Sequence, residues 1–139
     1  MSRKTARRYA FELIFQIPFQ PDLDIVSALD DYPEDNLPRI TPDERTFVIE
    51  TITGVFRRLT VIDHTIAVNS EGWSIDRLNR VDLAVLRLAV YELFYTGVPV
   101  GVLVNEAVEL AKLYSGDESG GFVNGILTKI SKQPEARHA

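Results

Sequence analysis

The sequence predicts an all-α protein of roughly six to seven helices in one domain. Apolar residues recur at spacings of three and four along most of the chain, whereas no stretch of useful length alternates with the period of two that marks a strand. The chain contains no cysteine, so neither disulfides nor a thiolate zinc site can hold the fold together. A hydrophobic content of 45% in 139 residues is enough for one ordinary core. We expect residues 1–135 to form that domain and residues 136–139 to be a frayed tail.

The charge is distributed unevenly. The net charge is −5, which argues against nonspecific nucleic-acid binding, but the first eleven residues carry +4, so the other 128 residues sum to −9. The apolar stretch after these bases contains Glu12 and lacks the cleavage pattern of a signal peptide. No apolar run approaches the ~20 residues of a membrane span. We expect a cytoplasmic protein with no membrane partner and with a basic arm made of Arg3, Lys4, Arg7 and Arg8.

The first helix is predicted over residues 5–17, and prolines at 18 and 21 end it. Residues 20–44 are rich in acids and prolines, and we interpret them as connectors around a short helix at 23–29. The predicted helix places the following residues on one face: Ala6, Tyr9, Ala10, Leu13 and Ile17.

A second long helix is predicted to begin after Thr41. This hydroxyl, a proline after it and the carboxylate of Glu44 make the capping-box pattern of a helix start. Gly54 inside this helix indicates close packing rather than a helix end. Another helix is expected over residues 61–68, followed by a turn from which the Trp73 indole packs back onto the core.

The segment 77–95 predicts the buried centre of a bundle, because its apolar residues cover most of the circumference of a helix. Gly97 and Pro99 end it, and the next helix closes at Ser115 and the following glycine. The last helix is predicted to start near Ser119, whose side chain would be the N-cap.

No pattern in the chain predicts an enzyme, a metal site or a cofactor. The P-loop, the dinucleotide-binding glycine pattern and the zinc-protease motif are all absent. Residues 116–121 are similar to the glycine-flanked serine of chymotrypsin-like proteases, but Glu118 interrupts the match. The two histidines are His64, which has no second ligand at helical spacing, and His138 in the tail. We therefore predict a protein that acts by binding and has no catalytic residues.

Basic and aromatic residues share one side of the first helix. Lys4 and Arg8 are one turn apart, and Phe11 and Phe15 fall on the same side. Guanidinium groups bind phosphates and aromatic rings stack on unpaired bases, which is the usual chemistry of single-stranded RNA recognition. The alternative is that other helices cover these rings, and we expect Phe15 to be the more exposed of the two.

Phe122 is a second aromatic outside the apolar stripe of its helix. It follows two glycines near a predicted helix start, where free amides can accept a phosphate while the ring stacks on a base. A ring folded back over the neighbouring helix is the alternative. If four cations contact RNA, log affinity should fall with log salt at a slope of roughly −3.

Three blocks of sequence closely resemble the NusB family. They are VDLAVLRLAVYEL at 81–93, VP at 98–99 with VNEAVELAK at 104–112, and FVNGIL at 122–127. The resemblance implies an all-α bundle of two small helical subdomains that acts in transcription antitermination. It also implies binding to the boxA RNA of ribosomal RNA leader and spacer transcripts, together with the ribosomal protein NusE and the transcription elongation complex.

The resemblance also implies positions for the contacts. Asp82 and Arg87 match the helix near the protein partner. The chain departs from the family in having Gly121 where a lysine is frequent, and Phe15 where a tyrosine is frequent, which implies weaker RNA binding without the partner. The RNA-contact residues that we predict are Arg3, Lys4, Arg7, Arg8, Phe15, Glu118, Ser119 and Phe122.

Two other functions remain open at this level. Ribosomal RNA cytosine methyltransferases carry a similar helical RNA-binding domain at their N-terminus, and the alternative function is that of a stand-alone relative of that domain. The excess of acidic residues is also compatible with a protein-interaction module that binds no RNA.

Overall fold

The computed structural model describes residues 3–19, 24, 40–71 and 74–133, and within these segments it contains helices and no strand. The predicted all-α class is confirmed. The expected helix at 23–29, the Trp73 indole and the tail at 136–139 lie outside the described residues. In the described segments no helix is both long and apolar enough to cross a membrane. Six α-helices lie in these described segments, namely α1 (Arg3–Gln16), α2 (Pro42–Arg57), α3 (Leu59–Val68), α4 (Arg80–Tyr95), α5 (Val100–Tyr114) and α6 (Asp117–Ser131).

Helix α2 begins with the predicted capping box. The backbone N–H of Glu44 donates to Thr41 Oγ1 over 3.2 Å, and the N–H of Thr41 donates to Glu44 Oε1 over 2.9 Å. Pro42 occupies the first turn, where its missing N–H costs nothing. Two backbone donors that the helix itself cannot satisfy are therefore paired.

Helix α4 is the centre of the bundle and contacts each of the other five helices. Its buried residues lie all around its circumference, as the sequence predicts. It starts at Arg80 rather than at residue 77, because Ile75–Arg77 forms a separate 3-10 turn. The Asn79 side chain then caps α4 by accepting from Val81 N over 2.8 Å.

Helices α2 and α4 meet at Gly54. A Cβ atom at this position would lie 2.3 Å from Cε1 of Tyr91, so only glycine leaves room for the tyrosine ring. The prediction that Gly54 marks close packing is confirmed. This contact fixes how near α2 approaches the central helix.

Helix α6 begins at Asp117, earlier than the sequence predicts. Gly116 is the N-cap residue with φ of 123°, a conformation that side chains other than glycine rarely adopt. Ser119 is therefore inside the first turn and is not the N-cap, so that prediction is wrong. Phe122 consequently lies in the second turn, displaced from the free amides at the start of the helix.

Candidate functional site

Arg7, one of the four bases of the predicted arm, is buried. Its guanidinium forms a bidentate ion pair with Glu92 of α4, with Nε 2.8 Å from Oε2 and Nη2 3.1 Å from Oε1. Its exposed fraction is only 6%. The prediction that Arg7 lies on a positive surface is wrong, because Arg7 faces the central helix α4, which supplies the carboxylate of Glu92.

Lys4 and Arg8 form the described part of the arm. Lys4 is exposed and donates to Glu109 of α5 over 2.6 Å, a hydrogen bond that raises the pKa of the lysine. Arg8 is half-buried and hydrogen-bonds the hydroxyl of Tyr114. The side chain of Arg3 is outside the described residues. Both described cations therefore lie along the seam between α1 and α5.

Of the two aromatic rings on this side of α1, Phe11 is buried and Phe15 is half-buried. Phe11 is 2% exposed, and its centroid is 4.6 Å from that of Tyr114. Phe15 is half-buried, with its centroid 6.2 Å from that of Phe11. Other helices therefore cover Phe11, whereas Phe15 keeps part of its surface in solvent, as the sequence analysis expects.

A cavity of about 270 Å³ opens between α1, the start of α4 and the end of α5. Phe15 forms one wall of it. Sequence reasoning did not identify this cavity, because Tyr114 closes α5 at the edge of an ordinary apolar stripe. Only the packing of α5 against α1 brings the tyrosine to this place. The cavity is lined by Phe11, Glu12, Phe15, Gln16, Val81 and Tyr114.

Tyr114 is held by two charged residues of α1. Its hydroxyl donates to Glu12 Oε2 and also hydrogen-bonds Arg8. Burial, followed by the bond to Glu12, raises the pKa of the phenol, so the hydroxyl keeps its proton at neutral pH. The cavity therefore presents a neutral phenol beside a carboxylate.

The starts of α4 and α6 are joined by Asp82 and Ser119. Both side chains are buried, with exposed fractions of 6% and 8%, and they are hydrogen-bonded to each other. Burial raises the pKa of Asp82, and the bond to Ser119 partly opposes this. Glu118 stays exposed in the first turn of α6, where the helix dipole favours an acid. Ser119 thus holds two helices together, and its predicted RNA contact has little surface to support it.

The predicted partner residues are also turned inward. Asp82 faces Ser119, and Arg87 is bound to Asp63 of α3 through two hydrogen bonds of 2.9 and 2.8 Å. The side chain of Arg87 is 11% exposed. Each of these two residues therefore joins α4 to a neighbouring helix, and their role near the protein partner stays a prediction.

Phe122 lines a second cavity of about 400 Å³ between α6 and the turn that follows α3. The ring is half-buried and packs against the core, and its contact with RNA stays a prediction. Lys129 lines the same cavity and donates to the carbonyl of Asn69 over 3.3 Å. Phe122 therefore has accessible surface beside a cation, without the helix-end amides that the sequence analysis placed there.

Within the described segments, no group of three or more histidine, aspartate or glutamate side chains is placed to bind a metal ion. The groups that converge are instead cations, carboxylates and aromatic rings along α1, α5 and the start of α6.

Comparison with known sequences gives one family. The sequence model of the NusB family matches residues 4–132. The transcription antitermination protein NusB of Acetivibrio thermocellus is 42% identical over 136 residues, which cover 95% of this chain and 90% of the relative. The protein of the same name from Agathobacter rectalis is 38% identical over 132 residues, which cover 94% of this chain and all of the relative.

Solved structures agree with the sequence comparison. NusB of T. maritima superposes with a TM-score of 0.84 and 36% identity, covering 100% of this chain and 94% of that one. A NusB chain solved with NusE and double-stranded RNA superposes with a TM-score of 0.81 and 30% identity, covering 94% of this chain and 96% of that one.

Proposed function

The chain belongs to the NusB family, and from this we propose that it is a transcription antitermination factor that binds RNA together with NusE. Its relatives carry the name of transcription antitermination proteins, and a NusB chain of the same fold was solved with NusE and double-stranded RNA. The proposed RNA is the boxA element of ribosomal RNA transcripts, and the proposed place of action is the elongation complex in the cytoplasm. The protein acts through contacts and performs no chemical step.

The observation that carries the proposal is the seam between α1 and α5. Lys4 and Arg8 lie on it beside the open cavity that Phe15 and Tyr114 line. A cation attracts the phosphate chain, and a partly exposed ring stacks on an unpaired base. Arg8 also carries a buried Nε with no hydrogen-bond partner among the described residues. Such a donor is costly unless a ligand pairs with it.

We propose Lys4, Arg8, Phe15 and Phe122 as RNA contacts, with Arg3 and Glu118 beside them. Arg7 and Ser119 are buried and are bonded to Glu92 and Asp82 of α4, so we do not include them among the proposed RNA contacts. The arm then supplies three cations instead of four. Asp82 is buried and Arg87 is paired with Asp63, so the NusE contact proposed for these two residues would use the little surface that Arg87 leaves in solvent.

The relatives favour this function over the methyltransferase domain. The match to this chain spans 90% of one of the antitermination proteins named above and 100% of the other. The similarity therefore extends along nearly the whole length of both antitermination factors.

The experiment is a titration of a single-stranded boxA RNA by fluorescence anisotropy, with and without NusE, over a range of salt concentrations. Three phosphate contacts give a slope of log affinity against log salt of about −2. Added NusE should tighten binding. Binding that is unaffected by salt, or no binding in the presence of NusE, would contradict the proposal.

A further inference from the structure

The cavity between α6 and the turn that follows α3 combines an aromatic ring, a cation and bare helix backbone. Its volume is about 400 Å³, and residues 69–71 form the wall opposite α6. Most of the α6 wall comes from four residues, whose spacing of three and four places them on one face of the helix. They are Gly121, Phe122, Gly125 and Lys129.

Two glycines in the α6 wall have no neighbour that requires them. A Cβ atom on Gly121 or on Gly125 would meet nothing within 4 Å. The glycines inside α2 and α6 that do pack differ from these, because a Cβ at Gly54 or at Gly120 would lie 2.3 Å or 2.7 Å from the nearest side-chain atom. A glycine within a helix destabilises it relative to alanine. In this wall no contact among the described residues offsets that cost, and the missing side chains widen the cavity.

Lys129 keeps hydrogen-bonding capacity in the cavity. Its ammonium group donates one hydrogen bond, over 3.3 Å, to the carbonyl oxygen of Asn69. The Glu71 carboxylate lies 3.6 Å away, beyond hydrogen-bond distance, and its side chain is 82% exposed. An ammonium group carries three N–H donors. Two donors of Lys129 therefore have no hydrogen-bond partner among the described residues and can bind an oxygen atom that enters the cavity.

The wall opposite α6 is held in place by Asn69, which is buried. Its Oδ1 atom accepts from Gln133 Nε2 over 2.9 Å, and its Nδ2 atom donates to the carbonyl of Thr65 over 2.8 Å. The carbonyl that binds Lys129 therefore has a fixed position, and it orients the ammonium group before any ligand arrives. A site formed in advance loses little conformational entropy on binding.

We propose that this cavity binds one nucleotide of single-stranded RNA, with a phosphate on the Lys129 ammonium group and the base against the Phe122 ring. The inference rests on the proposed RNA-binding function, and it adds a cation and a cavity to the contact proposed for Phe122. The Cα atoms of these two residues are seven positions apart, about 10.5 Å along the helix axis. The ribose lies between them over Gly125, where the absent side chain lets it approach the helix.

The pair between Glu71 and Lys129 leaves the site open to a phosphate. An exposed ion pair contributes little, because water and salt screen it. A phosphate oxygen can replace the carboxylate, since a charge-assisted hydrogen bond is stronger than an ion pair at 3.6 Å. The ring of Phe122 favours RNA over a simple anion, because every base has a face that stacks on an aromatic side chain. The site therefore adds affinity for RNA without selecting one base.

The first test removes the cation and measures the salt dependence of binding. The probe is a boxA RNA titrated in the presence of NusE. The three cations of the arm account for a slope of about −2, and Lys129 should bring the wild-type slope to about −3. Lys129→Gln should weaken binding and return the slope to about −2. Arg57→Gln removes the same charge from the exposed end of α2 and should match the wild type.

The second test fills the cavity without disturbing the fold. Gly125→Leu adds a side chain where a Cβ meets nothing within 4 Å, so thermal stability should equal or exceed that of the wild type. RNA affinity should fall by about tenfold, the usual contribution of one stacked base. Gly101→Leu is the matched control, because its Cβ also meets nothing within 4 Å and it lies on α5 outside the cavity. Thermal unfolding of both variants separates a blocked site from an unfolded protein.

The outcomes distinguish this inference from the function on which it rests. If wild type binds boxA RNA and both Lys129→Gln and Gly125→Leu bind it equally well, the nucleotide site is rejected and the proposed function stands. If both variants bind NusE more weakly in the absence of RNA, the cavity holds the protein partner and the nucleotide site is also rejected. Absence of RNA binding by the wild type, even with NusE, overturns both.

Discussion

Arg7 and Glu92 form a bidentate ion pair inside the bundle, with side chains that are 7% and 2% exposed. The pair links α1 to the central helix α4 through bonds of 2.8 and 3.1 Å. Two charges in the interior are tolerated because each satisfies the other, and removal of one partner leaves an uncompensated charge. Arg7, which belongs to the basic arm in the sequence, is therefore part of the core in the structure.

The variant Arg7→Ala should lower the free energy of unfolding by about 3 to 5 kcal/mol, because Glu92 would keep a buried charge without a partner. Urea unfolding followed by circular dichroism measures the loss. The double variant R7M/E92M removes both charges and should recover most of it. Lys4→Ala, which breaks a solvent-exposed pair, should change the stability far less than Arg7→Ala does. Normal stability combined with weaker RNA binding in Arg7→Ala would show that Arg7 contacts RNA directly.

Replacement of Phe15 by leucine should weaken boxA binding by about 1 to 3 kcal/mol, because leucine fills similar apolar space but offers no ring for stacking. Stability should change by less than about 1.5 kcal/mol. Phe56→Leu is the matched control, since Phe56 is also half-buried but lies on α2 away from the seam. Anisotropy titrations of the three proteins give the comparison. Equal affinities for the two variants would remove Phe15 from the RNA surface.

Asp82 should make stability depend on pH in the direction opposite to an ordinary ion-paired acid. Burial raises its pKa above the usual 3.8, so the folded chain binds this proton more tightly than the unfolded chain does. Its contribution to stability is present at pH values below 3.8 and is lost as the pH rises through the raised pKa.

Asp82→Asn removes this titration while its amide oxygen still accepts from Ser119. The free energy of unfolding of Asp82→Asn relative to wild type should therefore increase between about pH 3 and pH 7. Urea midpoints at several pH values give this difference. Ser119→Ala should steepen the dependence, because it removes the bond that lowers the pKa of Asp82. If the free energy of unfolding of Asp82→Asn relative to wild type stays constant or decreases as the pH rises, burial does not raise the pKa of Asp82.

Gly54→Ala should destabilise the protein by about 1 to 3 kcal/mol, the usual cost of overpacking, because the added methyl group would meet the Tyr91 ring. Gly125→Ala is the control within another helix. A Cβ there meets nothing within 4 Å, so this variant should gain about 0.5 to 1 kcal/mol. Thermal unfolding of both measures the contrast. Similar stability for the two variants would mean that α2 shifts to accept the methyl group.

The sequence by itself determined the helices, the central position of α4 and the family. Periodicity of three and four residues, the capping box at Thr41 and Glu44, and the apolar circumference of α4 are local signals, and each describes how a segment meets water or its own backbone. The three blocks from Val81 onward that resemble the NusB family likewise need no tertiary information. The start of α6 was predicted wrongly, because Gly116 and not Ser119 is its N-cap residue.

Only the tertiary structure decided which polar side chains are available. Arg7 and Arg8 are adjacent in the chain, yet one is paired with Glu92 in the core and the other reaches Tyr114 at the seam. The two side chains have different surroundings because consecutive residues of an α-helix point about 100° apart around its axis. The long-range packing of α1 then fixes which of the two side chains meets a carboxylate. The cavity of Glu12 and Tyr114 arises in the same way, from residues about a hundred positions apart that no local pattern connects.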